Sequence, residues 1–309
     1  MLQNSLPVAH LQPKDYLQSA ALASIHYSGA ESREYTRWLA THHYENFHIV
    51  SFLLPRELHQ DFYNVYAFCR WADDLGDEIG DKEASQRLLS WWRGELYAMY
   101  RGETAHPVFV ALRETVIRHD IPVEPFDRLI TAFEQDQIVT RYRTFDDVFA
   151  YCVNSANPVG HLVLYLCGYR DTERQNLSDY TCTGLQLANF WQDITVDLEK
   201  NRVYLPLELL ERHNYTVEDL FARRYNAGFR AVMADAVGVA EHFFNQGLPL
   251  IDMVNWRLSL DLELFSCGGM KILQKIRVED YDVLKRRPHI SKPERVGILI
   301  QSLRRRLPF

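Results

Sequence analysis

The sequence predicts an all-α fold, and three observations carry that prediction. Long segments repeat apolar residues every three or four positions, the spacing that lines one face of a helix. Short breaks built on Gly, Pro and Asp separate them, as at Gly80-Asp81 and Arg286-Arg287-Pro288. No alternating run bounded by turn chemistry reads as a strand. No internal repeat and no Gly- or Ser-rich linker divides the chain, so one domain is the economical organisation.

Taken in order, residues 1–34 read as an N-terminal extension, polar and weakly periodic, with Pro7 and Pro13 in it. A core begins near Tyr35 and runs through residues 35–309. Pro55 opens the first acid-bearing helix at a position where its missing N–H costs nothing, and Gly80 and Asp81 close it. Helices are expected over Glu83–Tyr100, Pro107–Arg118, Pro125–Val139, Phe145–Cys167, Asp171–Leu198, Pro206–Arg212, Val217–Arg223, Phe229–Met253 and Trp256–Val278. Ser291 and Glu294 make a capping-box opening for a last helix to about Arg306.

Composition excludes some functions. A chain of 309 residues that is 47% apolar can bury a sizeable core, and its net charge of -7 gives no case for nucleic acid. The stretch Tyr281–Phe309 runs against that balance with eight Lys or Arg and two acids. It reads either as a solvated basic tail or as a surface for an anionic membrane. The cysteines Cys69, Cys152, Cys167, Cys182 and Cys267 are odd in number and form no C-x-x-C pair, which fits buried thiols in a reducing cytosol. The N-terminus has neither a basic start nor an apolar run, and no apolar segment approaches the ~18 residues of a membrane span. The expectation is a cytoplasmic protein that lies on a membrane if it meets one, without crossing it.

Two stretches carry the chemistry. In Phe62–Glu78, reading FYNVYAFCRWADDLGDE, the residues Tyr66, Arg70, Asp73 and Asp77 share one helix face, while Phe62, Val65, Phe68 and Cys69 are apolar. Asp74 falls off that stripe and reads as a helix-surface acid. In Thr183–Asp197, reading TGLQLANFWQDITVD, the residues Gln186, Asn189, Asp193 and Asp197 again fall at helical spacing. Each Asp-x-x-x-Asp pair stands about 6 Å apart along its axis. Such oxygen pairs suit a hard divalent cation, Mg2+ above all, which keeps water and phosphate oxygens as its other ligands. A lone Asp-x-x-x-Asp is commonly a solvated face; two of them on long apolar helices, each beside amide or guanidinium groups, point to metal. His42, His43 and His48 lack the His-x-x-x-His spacing of a helical metal site and read as packing or capping residues.

With these stretches assembled, the chain resembles the squalene and phytoene synthase family of isoprenoid synthases over about Thr41–Arg306. YAFCRWADDLGDE is similar to the family's first aspartate motif, QLANFWQDITVDLEKNRVYLP to its second, and YCVNSANPVG to the segment between them. The resemblance implies a helical bundle with a central cavity in which Asp73, Asp77, Asn189, Asp193 and Asp197 hold magnesium on a prenyl diphosphate. It also implies that His43, Tyr66, Arg70, Tyr151, Gln186 and Asn189 line the substrate, with Arg286 closing from the late loop.

Three departures bear on the branch. His43-Tyr44-Glu45-Asn46-Phe47 replaces a Ser-rich, Lys-containing segment, Gln192 stands where Arg usually precedes the second motif, and Gly268-Gly269 stand where a tyrosine is usual. Together with Ser155–Gly160 these are similar to the hydroxysqualene synthase branch. That branch implies a lyase reaction: presqualene diphosphate is ionised and the rearranged cation is captured by water, giving hydroxysqualene on a route to squalene and hopanoids. No NAD(P)H is needed for it, and no strand followed by G-x-G-x-x-G is present in the sequence. Two alternatives stay open: a head-to-head synthase making presqualene diphosphate, dehydrosqualene or phytoene, and a non-catalytic assembly factor on the same fold.

Overall fold

The computed structural model describes residues 27–42 and 55–304; His43, His48 and the residues after Arg304 lie outside the described residues. Among the described residues every regular element is helical, and the pairing of extended backbone is confined to an isolated bridge between Arg141 and Val203. The expected all-α class holds. By its contacts the chain divides into two compact units, Met1–Ile138 with Leu162–Tyr169, and Val139–His161 with Arg170–Phe309.

The first unit is built on α1 (Gly29–His42), α2 (His59–Asp77), α3 (Lys82–Arg101), α4 (Pro107–His119) and α5 (Glu124–Asp136). Helix α1 starts ahead of the Tyr35 boundary expected from sequence. Its buried Ser32, Tyr35, Thr36 and Leu39 make it part of the core, a role that weak periodicity concealed. Helix α2 follows a 3-10 turn, Arg56–Leu58, so it begins later than Pro55 suggested. It buries Phe62, Val65, Phe68, Trp71, Ala72 and Leu75, with Trp71 stacked on Trp92 of α3 at 5.1 Å and 8°. Buried polar groups in the first turns of α2 and at Trp71 are placed against partners. Trp71 Nε1 donates to Tyr35 Oη at 3.0 Å, and Thr36 Oγ1 donates to Asn64 Oδ1 at 2.6 Å. Asp61, 1% exposed, accepts from Thr115 Oγ1 at 2.7 Å and Arg118 Nη1 at 3.0 Å, and His119 Nε2 lies 2.9 Å away. A buried carboxylate costs little when its oxygens are so satisfied, and these bonds fix the rotation of α2.

The second unit holds α6 (Phe145–Ser155), α8 (Thr172–Gln192), α9 (Ile194–Glu199), α10 (Leu207–Arg212), α11 (Val217–Phe221), α12 (Ala227–Gly247), α13 (Trp256–Val278) and α14 (Lys292–Arg304). Helix α7 (Asn157–Leu166) follows α6. The single helix expected over Phe145–Cys167 is thus broken at Ala156, because Pro158 lacks the N–H and its ring crowds the preceding turn. The break lets α7 run close to α8. A Cβ on Gly160 would stand 2.1 Å from Ser178 Oγ and 2.6 Å from Cys182 Sγ. Thr183 Oγ1 donates to Asn157 Oδ1 at 3.0 Å, and His161 Nε2 meets Asp179 Oδ1 at 2.7 Å. Pro249 likewise ends α12 early, in a 3-10 turn over Leu248–Met253. None of the five cysteines is in a disulfide, and burial pushes the thiols of Cys69, Cys152 and Cys182 up to about 12.

Candidate active site

The last turns of α2 carry the first acid motif. Tyr66, Arg70 and Asp73 are half-buried and Asp77 is exposed, so the expected stripe emerges from the core at its acid end. Arg70 organises it. Its Nη1 lies 3.2 Å from Asp73 Oδ2, and its Nη2 pairs with Asp74 Oδ1 and lies 3.6 Å from Glu78 Oε1. Arg70 Nε is buried with no hydrogen-bond partner, a donor that an anionic oxygen would satisfy. Asp74 is not the surface acid that its position off the stripe suggested. It is 5% exposed, and burial pushes its carboxyl up to about 7 against the opposing pull of Arg70. Burial also raises the Tyr66 phenol, with Arg70 acting against it.

The second motif spans a helix junction. The continuous helix expected over Asp171–Leu198 stops at Gln192, and Asp193 sits between α8 and α9 with φ −104° and ψ 13°. Helical contact survives the break, because Asp193 O accepts from the Asp197 N–H at 2.9 Å. The two carboxylates therefore keep their spacing of one turn. Asp193 and Asp197 are half-buried, Gln186 is half-buried and Asn189 is exposed. Tyr151 of α6 is 4% exposed in an aromatic cluster, its ring 6.1 Å from Phe190 and 5.8 Å from Tyr204. Phe190 and Tyr204 stack at 3.7 Å and 7°. The residues of the intermediate segment and of the second motif thus meet around one ring stack.

The late loop is latched to this motif. Gln192 Nε2 donates to the Pro288 carbonyl at 2.6 Å. Arg287 then ion-pairs with Asp193 through Nε and through Nη2, the latter at 3.2 Å from Oδ2. The sequence pointed to Arg286, which is exposed; the neighbouring Arg287 is the one that reaches an acid. An Arg doublet in a loop offers no periodicity from which to choose between them. Phe244 was also missed. It is buried between two helical glycines: a Cβ on Gly269 would stand 2.2 Å from its Cζ, and one on Gly184 3.2 Å from its Cγ. The space that a tyrosine at position 269 would take is filled by a ring from α12.

Each acid pair by itself, Asp73 with Asp77 and Asp193 with Asp197 near Asn189, offers oxygen donors of the kind that suit a hard divalent cation. Among the described residues no group of three or more His, Cys, Asp or Glu side chains could hold a metal alone. A cation at either pair would complete its shell with water and substrate oxygens, as Mg2+ commonly does. The orphaned Arg70 Nε beside the first pair suits that anionic substrate.

The chain belongs to the squalene/phytoene synthase family, whose model matches residues 40–294. Among solved structures it is similar to squalene synthase HpnC from Alicyclobacillus acidocaldarius, with 44% identity, TM-score 0.79, and coverage of 84% of this chain and 98% of that one. It is 35% identical to a phytoene synthase of Thermus thermophilus, over 83% of this chain and 87% of the relative. A dehydrosqualene synthase structure at 21% identity and TM-score 0.81, covering 90% of this chain and 97% of that one, shares the fold. The family consists of enzymes that act on prenyl diphosphates with a divalent metal.

Proposed function

We propose that this chain is a magnesium-dependent hydroxysqualene synthase, a carbon–oxygen lyase that converts presqualene diphosphate and water to hydroxysqualene and diphosphate in squalene and hopanoid biosynthesis. The observation that carries the reading is the 44% identity to squalene synthase HpnC across 84% of this chain. The departures at Gln192 and Gly269 support it. Gln192 serves to hold the Pro288 carbonyl, and Phe244 takes the space beside Gly269.

Asp73, Asp77, Asn189, Asp193 and Asp197 would hold the metal, which supplies Lewis-acid stabilisation of the leaving diphosphate. Arg70 donates to the diphosphate, with Nε as the donor still to be satisfied. Arg287, which ion-pairs with Asp193, would donate to the diphosphate from the late loop. Tyr66, Tyr151, Gln186 and His43 line the substrate. The C–O bond to diphosphate breaks with its electron pair on the departing oxygen; water then adds to the rearranged cation and gives up a proton. No hydride donor enters this balance. The reading takes the enzyme as cytoplasmic, and its oily substrate and product favour contact with a membrane surface.

The 35% identity to a phytoene synthase favours a second reading, a condensing transferase. Mass spectrometry after incubation with Mg2+ and either presqualene diphosphate or farnesyl diphosphate separates the two. The expected result is an alcohol of squalene's carbon count from the first substrate and no turnover of the second. Consumption of farnesyl diphosphate would establish the transferase, and inertness toward both would leave a non-catalytic relative.

A further inference from the structure

We propose that the outward face of α14 is a docking surface for an anionic lipid bilayer, which adds a specific site to the membrane contact included in the reading above. The C-terminal helix is built inside out. Val296, Leu299, Ile300 and Leu303 fall at the spacing of one apolar helix face. In a helix covering a core that face turns inward. Here Val296 is 55%, Ile300 45% and Leu303 43% exposed, and Leu299 is half-exposed. The buried side chain of the helix is instead the small, polar Ser302.

The charges are sorted to match. At 100° per residue Lys292 heads the apolar stripe, Arg295 lies on one flank and Arg304 on the other, all exposed. The one acid of the helix, Glu294, lies away from the stripe and is held by Lys275 at 2.9 Å and by the Ser291 N–H at 2.8 Å. Those bonds orient α14 on α13 from its polar side, leaving the apolar stripe and its basic rim to solvent. An apolar strip edged by Lys and Arg is the pattern of a helix lying in the headgroup layer, where burial of the strip and attraction to anionic lipid act together. A second protein copy would bring the same three cations against themselves, so charge complementarity favours lipid.

The test is sedimentation of the full chain with phosphatidylcholine vesicles, with and without phosphatidylglycerol, at low and high salt. Wild type is expected to pellet with the anionic vesicles, less so at high salt. Val296→Ser/Ile300→Ser/Leu303→Ser and Arg295→Ala/Arg304→Ala should each weaken partitioning about 10-fold or more. Circular dichroism and turnover of detergent-dispersed presqualene diphosphate should be unchanged in both variants, so failure of the surface and failure of the reaction are read in separate assays. Wild type remaining in the supernatant, or a triple variant that still pellets, would overturn the proposal. So would light scattering that shows a dimer which the triple variant breaks, because a second copy would then be the occupant.

Discussion

The ion pair of Arg287 with Asp193 places a guanidinium at the second acid motif. The guanidinium offsets the carboxylate's charge and holds the late loop at the second acid motif. Under the proposed mechanism Arg287 would donate to the diphosphate. Arg287→Ala should therefore lower kcat/KM by roughly 100-fold, the scale of one lost donor to developing negative charge, while Arg286→Ala costs far less. Steady-state kinetics on the two variants checks this, and equal losses would show that the loop presents both. Arg70 differs because Asp73, Asp74 and Glu78 surround it. Its position is fixed by its own helix, whereas that of Arg287 depends on the Gln192 bond to Pro288.

At the scale of elements, the packing of α8, α12 and α13 turns on what two glycines leave out. Glycine inside a helix costs up to about 1 kcal/mol relative to alanine, and Gly184 and Gly269 are retained where Phe244 needs the room. Gly269→Ala should destabilise by about 1–3 kcal/mol through overpacking, and Phe244→Ala by about 3–5 kcal/mol through the cavity it leaves. The double variant should cost less than the sum, because the new methyl occupies part of the vacated space. Urea denaturation of the three variants measures the coupling, and strict additivity would show that the two side chains do not compete. The same scale explains the broken helices. Pro158 and Pro249 end segments whose apolar periodicity continues through them, since a missing N–H overrides the pattern.

For the molecule as a whole, Asp261 sets a pH dependence of stability. It lies in α13, 1% exposed, with neither carboxylate oxygen hydrogen-bonded, and burial pushes its carboxyl up to about 8. An unfolded aspartate ionises near about 3.9. Between these values the unfolded chain has released a proton that the folded chain still holds, so this residue lowers stability as pH rises from about 4 to about 8. Asp261→Asn should raise Tm at pH 8, and the gain should shrink toward pH 5. Thermal unfolding of both proteins across that range checks it, and a gain independent of pH would show that the carboxyl does not titrate there.

Helical class and most of the helices were legible from spacing alone, because a 3.6-residue period is a local property that every turn repeats. The family was legible for a related reason: its motifs are contiguous stretches. Trp256–Val278 was found with its ends intact, since Asn255 caps its start through the N–H groups of Arg257 and Leu258. Other features depended on residues far apart in sequence. Asp74 became a buried acid, Arg287 paired with Asp193, Phe244 filled the space at Gly269, and the apolar side of α14 turned to solvent. Each was set by which surfaces other helices had already covered. A period fixes which residues share a face, and packing against the rest of the chain fixes where that face points.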